Sequence, residues 1–337
     1  MFASIKRLFL IFLLFNNLSN ASLFDRFEQW VQKHEMKFDD ENHFMAVYKK
    51  WNCNDLFIEK INSQNLTYTL AHNKFSGMDS DDYREYLSFG NQYKYSLENK
   101  RPSLRGNSVN ELSSINWVEK GAVTPVKDQG QCGSCWSFST TGALEGAYYI
   151  KYGILESFSE QQLVDCDTLK NGGKDHGCNG GLMDNAFTWI GKNGGLCSEA
   201  SYPYTSGVTQ SAGNCVTKCS NIIDSKITDF NDVPPSSDKS MMNALSLQPV
   251  SIAIEADQRE FQLYKSGVFT GTCGTNLDHG VLAVGYGNLE GLDYYYVKNS
   301  WGTTWGDGGY IKLGRGPQYN KGDGQCGILL QGSYPNI

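Results

Sequence analysis

The chain has 337 residues, 19% of them charged and 40% apolar, with a formal net charge of −7. This length allows more than one hydrophobic core, and the composition suits a globular protein. The acidic balance and the lack of a basic stripe argue against a nucleic-acid binder; the charge itself identifies no partner.

Lys6 and Arg7 precede an apolar run, Leu8 to Phe15, and the small and polar residues Ser19-Asn20-Ala21-Ser22 follow. This is the pattern of a signal peptide, residues 1–21, cut near Ala21. The run falls far short of the roughly 20 residues that a spanning helix needs, and no later segment is expected to cross a bilayer. The secretory route follows, ending in a lysosome-like acidic compartment or outside the cell.

Residues 22–110 form a first region. Phe24, Phe27, Trp30 and Val31, then Phe44, Val47, Tyr48 and Trp51, then Leu56, Ile58 and Ile61 stand at helical spacing. Asn65-Leu66-Thr67 is a glycosylation acceptor. Residues 91–112 are polar and lack an apolar period, as expected of an exposed linker open to proteolysis.

From Ile115 the texture changes, and 111–337 is the second region. Helical patterns cover 135–152, Ser159 to Asp165 and Leu182 to Lys192, separated by glycine-rich loops. From about 226 onward the texture is β: Pro249 to Ile254, Gly280 to Tyr286, Tyr294 to Lys298 and Tyr310 to Leu313 read as strands. A helical part followed by a strand-rich part predicts an α+β fold of two subdomains with a cleft between them.

Ten cysteines are present, and only Cys53 precedes residue 130. Of the nine that follow, one catalytic thiol would leave eight, enough for four cystines; about 105 pairings are then possible, so spacing does not settle the connectivity. Paired cysteines agree with an oxidising route. The segment Gln129-Gly130-Gln131-Cys132-Gly133-Ser134-Cys135-Trp136 sets a glycine-rich turn against the start of a helix. Cys135 there meets unpaired N–H groups and the positive helix end, and both favour thiolate.

Of five histidines, His34, His43 and His72 lie in the first region and His176 in a polar loop. His279 instead opens an apolar strand, where a titratable ring needs a partner. Cys135, His279 and Asn299 form one constellation: nucleophile, base, and a side-chain oxygen that fixes the base's tautomer. Gln129 stands where its amide can donate to an oxyanion, with the Cys135 N–H as second donor. Trp301 supplies an indole to shield the His–Asn bond. No metal or cofactor is implied, because His176 has no partners at ligand spacing.

The segment around Cys135 resembles the active-site segment of papain-like cysteine proteases, whose signature is C-G-[SA]-C-[WY] with His and Asn roughly 130–150 residues downstream. His279 lies 144 residues on, and Asn299, at 164, somewhat beyond. The resemblance extends through Gly177-Cys178-Asn179-Gly180-Gly181, Asp278-His279-Gly280 and Lys298-Asn299-Ser300-Trp301-Gly302-Thr303-Thr304-Trp305-Gly306, covering Ile115 to the C-terminus. It implies a papain-like two-subdomain fold: a helical left part, a β-barrel-like right part and a helical propeptide in front. It implies Cys135 as nucleophile, His279 as acid/base, Asn299 as orienter and Gln129 as oxyanion donor. It also implies the disulfides Cys132–Cys178, Cys166–Cys215 and Cys273–Cys326. Cys197 and Cys219 are extra to the family pattern; they are read as a pair, with 166–219 and 197–215 as the rival connectivity.

The first region resembles the family's inhibitory propeptide. Trp51, Asn54, Ile58 and Asn62 match half of its helical motif, while His43 and Val47 stand where Glu and Arg are usual. Asn73 and Phe75 match a short downstream motif from which Ala71 and Gly77 depart. Activation would cut within about 104–112, giving a mature chain from near Glu111. Leu182, Met183, Ala253, Leu277 and Gly280 would line the pocket for the side chain two before the cut, with Gln331 at its floor. Gly180 and Gly181 would present backbone to an extended substrate, and Trp301 would border the site. An apolar wall favours Leu, Phe or Val, and a neutral Gln331 disfavours Arg. The implied partners are protein and peptide substrates, the chain's own propeptide, and cystatin-like inhibitors. No insertion between Cys166 and Cys178 blocks the cleft, which favours an endopeptidase of the cathepsin L-like kind over an exopeptidase.

Two other classes compete. Cys132-Gly133-Ser134-Cys135 is also a C-x-x-C, but the βαβ context of a redox protein is missing. A binding protein on an inactive scaffold would not need all four catalytic positions filled.

Overall fold

The computed structural model describes residues 22–88, 112–216 and 218–337. The signal peptide lies outside the described residues, as does the linker with its activation cut up to residue 111.

The first region opens with α1 (Leu23–Lys33), whose start is set by a reciprocal cap. The Asp25 N–H donates to Ser22 Oγ, and the Ser22 N–H donates back to the Asp25 carboxylate. The second and third apolar sets of the sequence belong to a single helix, α2 (Glu41–Asn62). Phe27, Trp30 and Trp51 pack between the two helices and form a small core of their own. Two further elements, strand β1 (Tyr68–Leu70) and α3 (Ser80–Ser88), carry no periodic signal in the sequence. A strand of three residues is too short to show alternation; β1 exists because it adds antiparallel to an edge of the larger region's sheet.

The helical half of the larger region holds β2 (Ile115–Asn116), α4 (Cys135–Tyr152), α5 (Glu160–Cys166), α6 (Met183–Asn193) and the single turn α7 (Ser206–Thr209). Every residue of α4 from Trp136 to Tyr148 is buried. Gly142 and Gly146 let it approach the sheet: a Cβ at Gly142 would sit 2.8 Å from Leu282, and one at Gly146 2.5 Å from Pro249. The helix stops at Gly153, whose φ of 71° suits glycine.

The strand-rich half contains β3 (Asp229–Asp232), α8 (Asp238–Leu247), β4 (Val250–Ile254), α9 (Arg259–Gln262), β5 (Tyr264–Phe269), β6 (His279–Leu289), β7 (Leu292–Lys298), β8 (Tyr310–Gly314) and β9 (Gly332–Asn336). The expectation of uniform β texture from 226 needs correction at α8. Ser237 caps that helix, and Met241, Ala244 and Leu245 give it a buried face at i, i+3 and i+4. The strands run β1-β5-β8-β7-β6-β4-β9-β3, with β2 also on β6; among the named strands only β5 and β8 pair in parallel. The barrel-like half is thus an open path with edges at β1 and β3. Its central strand β6 begins at His279 and packs on α4, which begins at Cys135. Cys135 and His279 therefore meet as the first residues of two core elements. Four disulfides join Cys132–Cys178, Cys166–Cys215, Cys197–Cys219 and Cys273–Cys326. Among the described residues no helix is long and apolar enough to cross a membrane.

Candidate active site

Ser134 precedes α4 but does not cap it. Its hydroxyl lies 2.7 Å from Tyr204 Oη, so its side chain does not cap the N–H groups of Cys135 and Trp136, while the Ser137 N–H turns to the Ser134 carbonyl (2.8 Å). The backbone N–H of Gly280 points at Cys135 Sγ, 3.4 Å away, which puts β6 directly against the thiol.

His279 is buried, and its Nε2 lies 2.8 Å from Asn299 Oδ1. The Ser300 N–H also donates to that atom, 2.8 Å. A backbone N–H needs an acceptor, so the atom is the amide oxygen, and His279 must offer it an N–H. The proton thus resides on Nε2, and Nδ1 is left for the thiol. Burial pulls the His279 pKa down to about 4, against an upward push from Asn299. Trp301 covers the bond, stacked on the imidazole with centroids 4.6 Å apart.

Gln129 is held at four atoms, one of them its backbone N–H, which donates to Ser300 O (2.8 Å). Its Oε1 accepts from Ser300 Oγ (2.7 Å), its Nε2 donates to Cys132 O (3.0 Å), and its backbone carbonyl accepts from Tyr204 Oη (2.7 Å). One N–H of the amide is used on Cys132, leaving a second. Tyr204 and Ser300 fix the donor yet were not read from the sequence. The signal was thin: a tyrosine in Tyr202-Pro203-Tyr204 and a serine beside a candidate catalytic Asn.

The residues expected to bind substrate lie in two groups that the fold brings together. Ala253 pairs with Gly280 across β4 and β6, and its N–H donates to the Gln331 carbonyl (3.1 Å). Leu182 and Met183 open α6, and Ser333 Oγ on β9 reaches Asp184 on the same helix, 2.6 Å. The side-chain Oε1 of Gln331 is buried with no hydrogen-bond partner among the described residues. Leu277 is buried against the 326–330 turn. Gly180 and Gly181 follow the Cys178 bridge; a Cβ at Gly181 would come within 2.6 Å of the Trp136 ring. Asn65 sits exposed after α2, and His176 contributes its backbone N–H to Gly180 O.

The first region lies on this site. Phe75, Tyr83 and Tyr86 pack edgewise on Trp301, with centroids 5.1, 6.1 and 6.4 Å away. Tyr86 Oη donates to the Gly130 carbonyl next to Gln129 (3.0 Å), and Lys74 pairs with Asp128 (2.7 Å). Asn73 Nδ2 donates to Gln262 O while Gln262 Nε2 returns a bond to Phe75 O. Asn54 and Asn62, matched in the sequence, hold the loops that follow: Asn54 donates to Ser76 O and Met78 O, and Asn62 to Leu70 O.

A family model of papain family cysteine proteases matches residues 112–336, and one of the cathepsin propeptide inhibitor domain (I29) matches residues 27–83. The chain belongs to the papain family. Among its relatives is a probable cysteine protease of Arabidopsis thaliana, RD21B, 45% identical over 315 residues; the match covers 92% of this chain and 65% of the relative. The chain thus spans about two thirds of the length of that relative. Recombinant stem bromelain precursor superposes with a TM-score of 0.83 at 38% identity, covering 94% of this chain and 99% of its own. The proform of the ragweed pollen cysteine protease Amb a 11 gives 0.82 at 35%, covering 95% and 96%. Both structural likenesses span the first region together with the papain-family region, the arrangement of a proenzyme.

Proposed function

We propose that the chain is a cysteine endopeptidase made as an autoinhibited zymogen, with 22–110 as inhibitory propeptide and 111–337 as the peptidase. The observation that carries this reading is the bond from His279 Nε2–H to Asn299 Oδ1, which turns Nδ1 to a thiol at a helix start. Cys135 Sγ gives its proton to Nδ1 and attacks the substrate carbonyl. The oxyanion takes the free N–H of Gln129 and the Cys135 N–H. The imidazolium then protonates the leaving amine and a thioester remains. His279 next removes a proton from water, the hydroxide attacks the thioester, and the thiol is restored as the acid product leaves.

Gly180 and Gly181 pair with the substrate backbone, and the side chain two before the cut enters between Leu182–Met183 and Ala253–Leu277–Gly280, above Gln331. An apolar wall over a neutral amide selects Leu, Phe or Val over Arg. The four disulfides and the propeptide suit the secretory pathway, toward an acidic compartment or release. Cystatin-like proteins would occupy the same cleft.

The test is peptide cleavage by the chain after acid treatment with mild reductant, using fluorogenic peptides with Leu, Phe or Arg two before the cut. Activity that accompanies loss of residues 22 to about 110, and that Cys135→Ala lacks, is the expected result. A processed wild type that cleaves nothing and takes up no thiol-directed reagent overturns it.

A further inference from the structure

Two carboxyl groups lie beneath the loop that carries Gly180 and Gly181. Asp167 follows α5 and Asp175 lies in the next loop; both are buried, 0% and 2% exposed. The loop wraps the first of them: the Lys174 N–H donates to Asp167 Oδ1 (3.1 Å) and the Asp175 N–H to the Asp167 carbonyl (3.1 Å). Asp175 Oδ1 accepts from the Leu182 N–H (3.0 Å) and from Asn185 Nδ2 (3.0 Å). The other oxygen of each residue, Oδ2, is buried with no N–H or hydroxyl donor among the described residues. Each carboxyl group acts on the ionisation of the other, and each has an oxygen with no donor. Two buried carboxylates this close repel, and one proton held between the two groups relieves the repulsion and satisfies the orphaned oxygens.

We propose that Asp175 is a positioning residue for substrate, and that the proton it shares with Asp167 locks the Gly180–Leu182 backbone in its binding geometry. The proposal rests on the endopeptidase reading above. The geometry transmits the lock directly. From Asp175 the chain runs through a tight turn, with the His176 N–H on Gly180 O (2.9 Å) and the Asn179 N–H on His176 O (3.0 Å). It is tied at Cys178 to Cys132, and the Gly133 N–H, two residues before Cys135, donates to Cys178 O (3.0 Å). It returns to Asp175 at Leu182. Gly181 is wedged at this point, since a Cβ there would come within 2.6 Å of the Trp136 ring and 2.8 Å of Asp175 Cγ. Trp136 follows Cys135, and its indole N–H donates to Gly177 O (3.2 Å). Displacing the Asp175 carboxyl would therefore displace the strand-like backbone that the substrate is to meet.

The lock responds to pH. Burial, and then the charge of Asp167, push Asp175 well above the ordinary carboxyl range; burial also raises Asp167. The groups facing the pair are the Trp136 indole from α4, the Asn185 amide from α6, and the cations Lys174 of the same loop and Lys192 of α6, which favour ionisation of Asp167. In acid the shared proton is present. As pH rises the proton leaves, two buried charges repel, and the Leu182 end of the loop loosens.

An amide at either position makes the same bond without a titrating proton. Asp167→Asn can accept from Lys174 with Oδ1 and donate to Asp175 with Nδ2; Asp175→Asn does the reverse. The experiment measures KM and kcat of processed wild type, Asp167→Asn, Asp175→Asn and Asp175→Ala from pH 5 to 9, with a Leu-containing peptide. The rate of Cys135 alkylation by iodoacetamide, which reads the Cys–His pair alone, runs beside it. The expected result is a rise in wild-type KM on the alkaline side of about fivefold or more that shrinks below about twofold in both amide variants. The pH profile of alkylation stays as in wild type, and Asp175→Ala shows a raised KM at every pH. The proposal is overturned if both amide variants, which keep size and hydrogen bonds, retain the wild-type rise in KM. A wild type that neither cleaves peptide nor alkylates at Cys135 would instead sink the endopeptidase reading, and this proposal with it.

Discussion

The Trp301 indole lies nearly parallel to the His279 imidazole, centroids 4.6 Å apart and planes 21° from each other, while the Phe75 ring meets it edge-on at 5.1 Å. One buried ring thus belongs both to the candidate site and to the contact with the first region. Trp301→Ala is expected to let water reach the His279–Asn299 bond and to weaken it by about 1–2 kcal/mol, a fall in kcat/KM of roughly 5- to 30-fold after processing. The imidazole, now held near 4 by burial, should titrate closer to its ordinary value. The pH profile of kcat/KM separates this from misfolding, since a merely unstable enzyme would keep the wild-type profile at reduced amplitude.

Val47 and Gly77 are departures from the propeptide pattern, and the structure makes them a pair: a Cβ at Gly77 would lie 2.8 Å from Val47 Cγ1 and 2.9 Å from the Trp30 ring. Gly77→Asp would press an unpaired carboxylate into an apolar contact, and Val47→Arg would do likewise with a cation. Each alone should weaken the first region by about 2–3 kcal/mol and raise the pH at which the zymogen activates. Combined, the two charges can meet, and the double variant should recover about 1 kcal/mol or more relative to the sum. A strictly additive double variant, read from the activation pH, would show that the two positions do not couple.

How legible all this was differs by element. α4 could be read to its residue limits, because a glycine turn starts it and Gly153 ends it. Strands β4, β6, β7 and β8 announced themselves as apolar runs between glycines. β1, β3 and β9 did not: three to five mixed residues take their conformation from the strands they join. The positions of Cys135, His279, Asn299 and Gln129 followed from motif and spacing. The residues that hold them did not, since Tyr204 and Ser300 act through contacts between segments 75 and 171 residues away in sequence. Asp167 and Asp175 were hidden for another reason. Each looks like an ordinary loop acid, and only burial turns the pair into a site.

His34 and His72 make the first region acid-labile. Burial pulls His34 down to about 4, and its Nε2 has no hydrogen-bond partner among the described residues. His72 stacks on Trp51 at 4.2 Å; burial lowers it too, against the opposing pull of Asp55, 3.0 Å from Nε2. A base whose folded pKa lies below its unfolded value near 6.5 contributes stability that is complete above 6.5. That stability is lost as pH falls through the folded pKa, because the unfolded chain binds more protons. The loss should amount to about 1–2 kcal/mol for half-exposed His34, after allowing for solvent screening. Urea unfolding of full-length Cys135→Ala at pH 7 and 4.5 should show it, and His34→Gln with His72→Gln should flatten the difference. An unchanged pH dependence in that double variant would assign the lability to other groups.

Lys127 holds two buried acids, Glu145 inside α4 and Glu160 at the start of α5. Its Nζ lies 2.6 Å from Glu160 and 3.3 Å from Glu145, whose side chains are 1% and 2% exposed. Burial works against the Lys127 charge, but the two acids outweigh it and raise its pKa; Lys127 and Lys298 in turn outweigh burial at Glu145 and lower its pKa. Together with Lys298, Asn299 and Ser300 these residues line a small pocket that Gly280, next to His279, also borders. Lys127→Met keeps the stem but strands two carboxylates, which is expected to cost about 3–5 kcal/mol. Adding Glu160→Gln, whose amide can still meet Thr141, should return about half of that loss, since one stranded charge is gone. Urea midpoints of the two variants in the Cys135→Ala background measure the difference. If Lys127→Met alone loses less than about 1 kcal/mol, the ion pairs are exposed enough for water to replace the lysine.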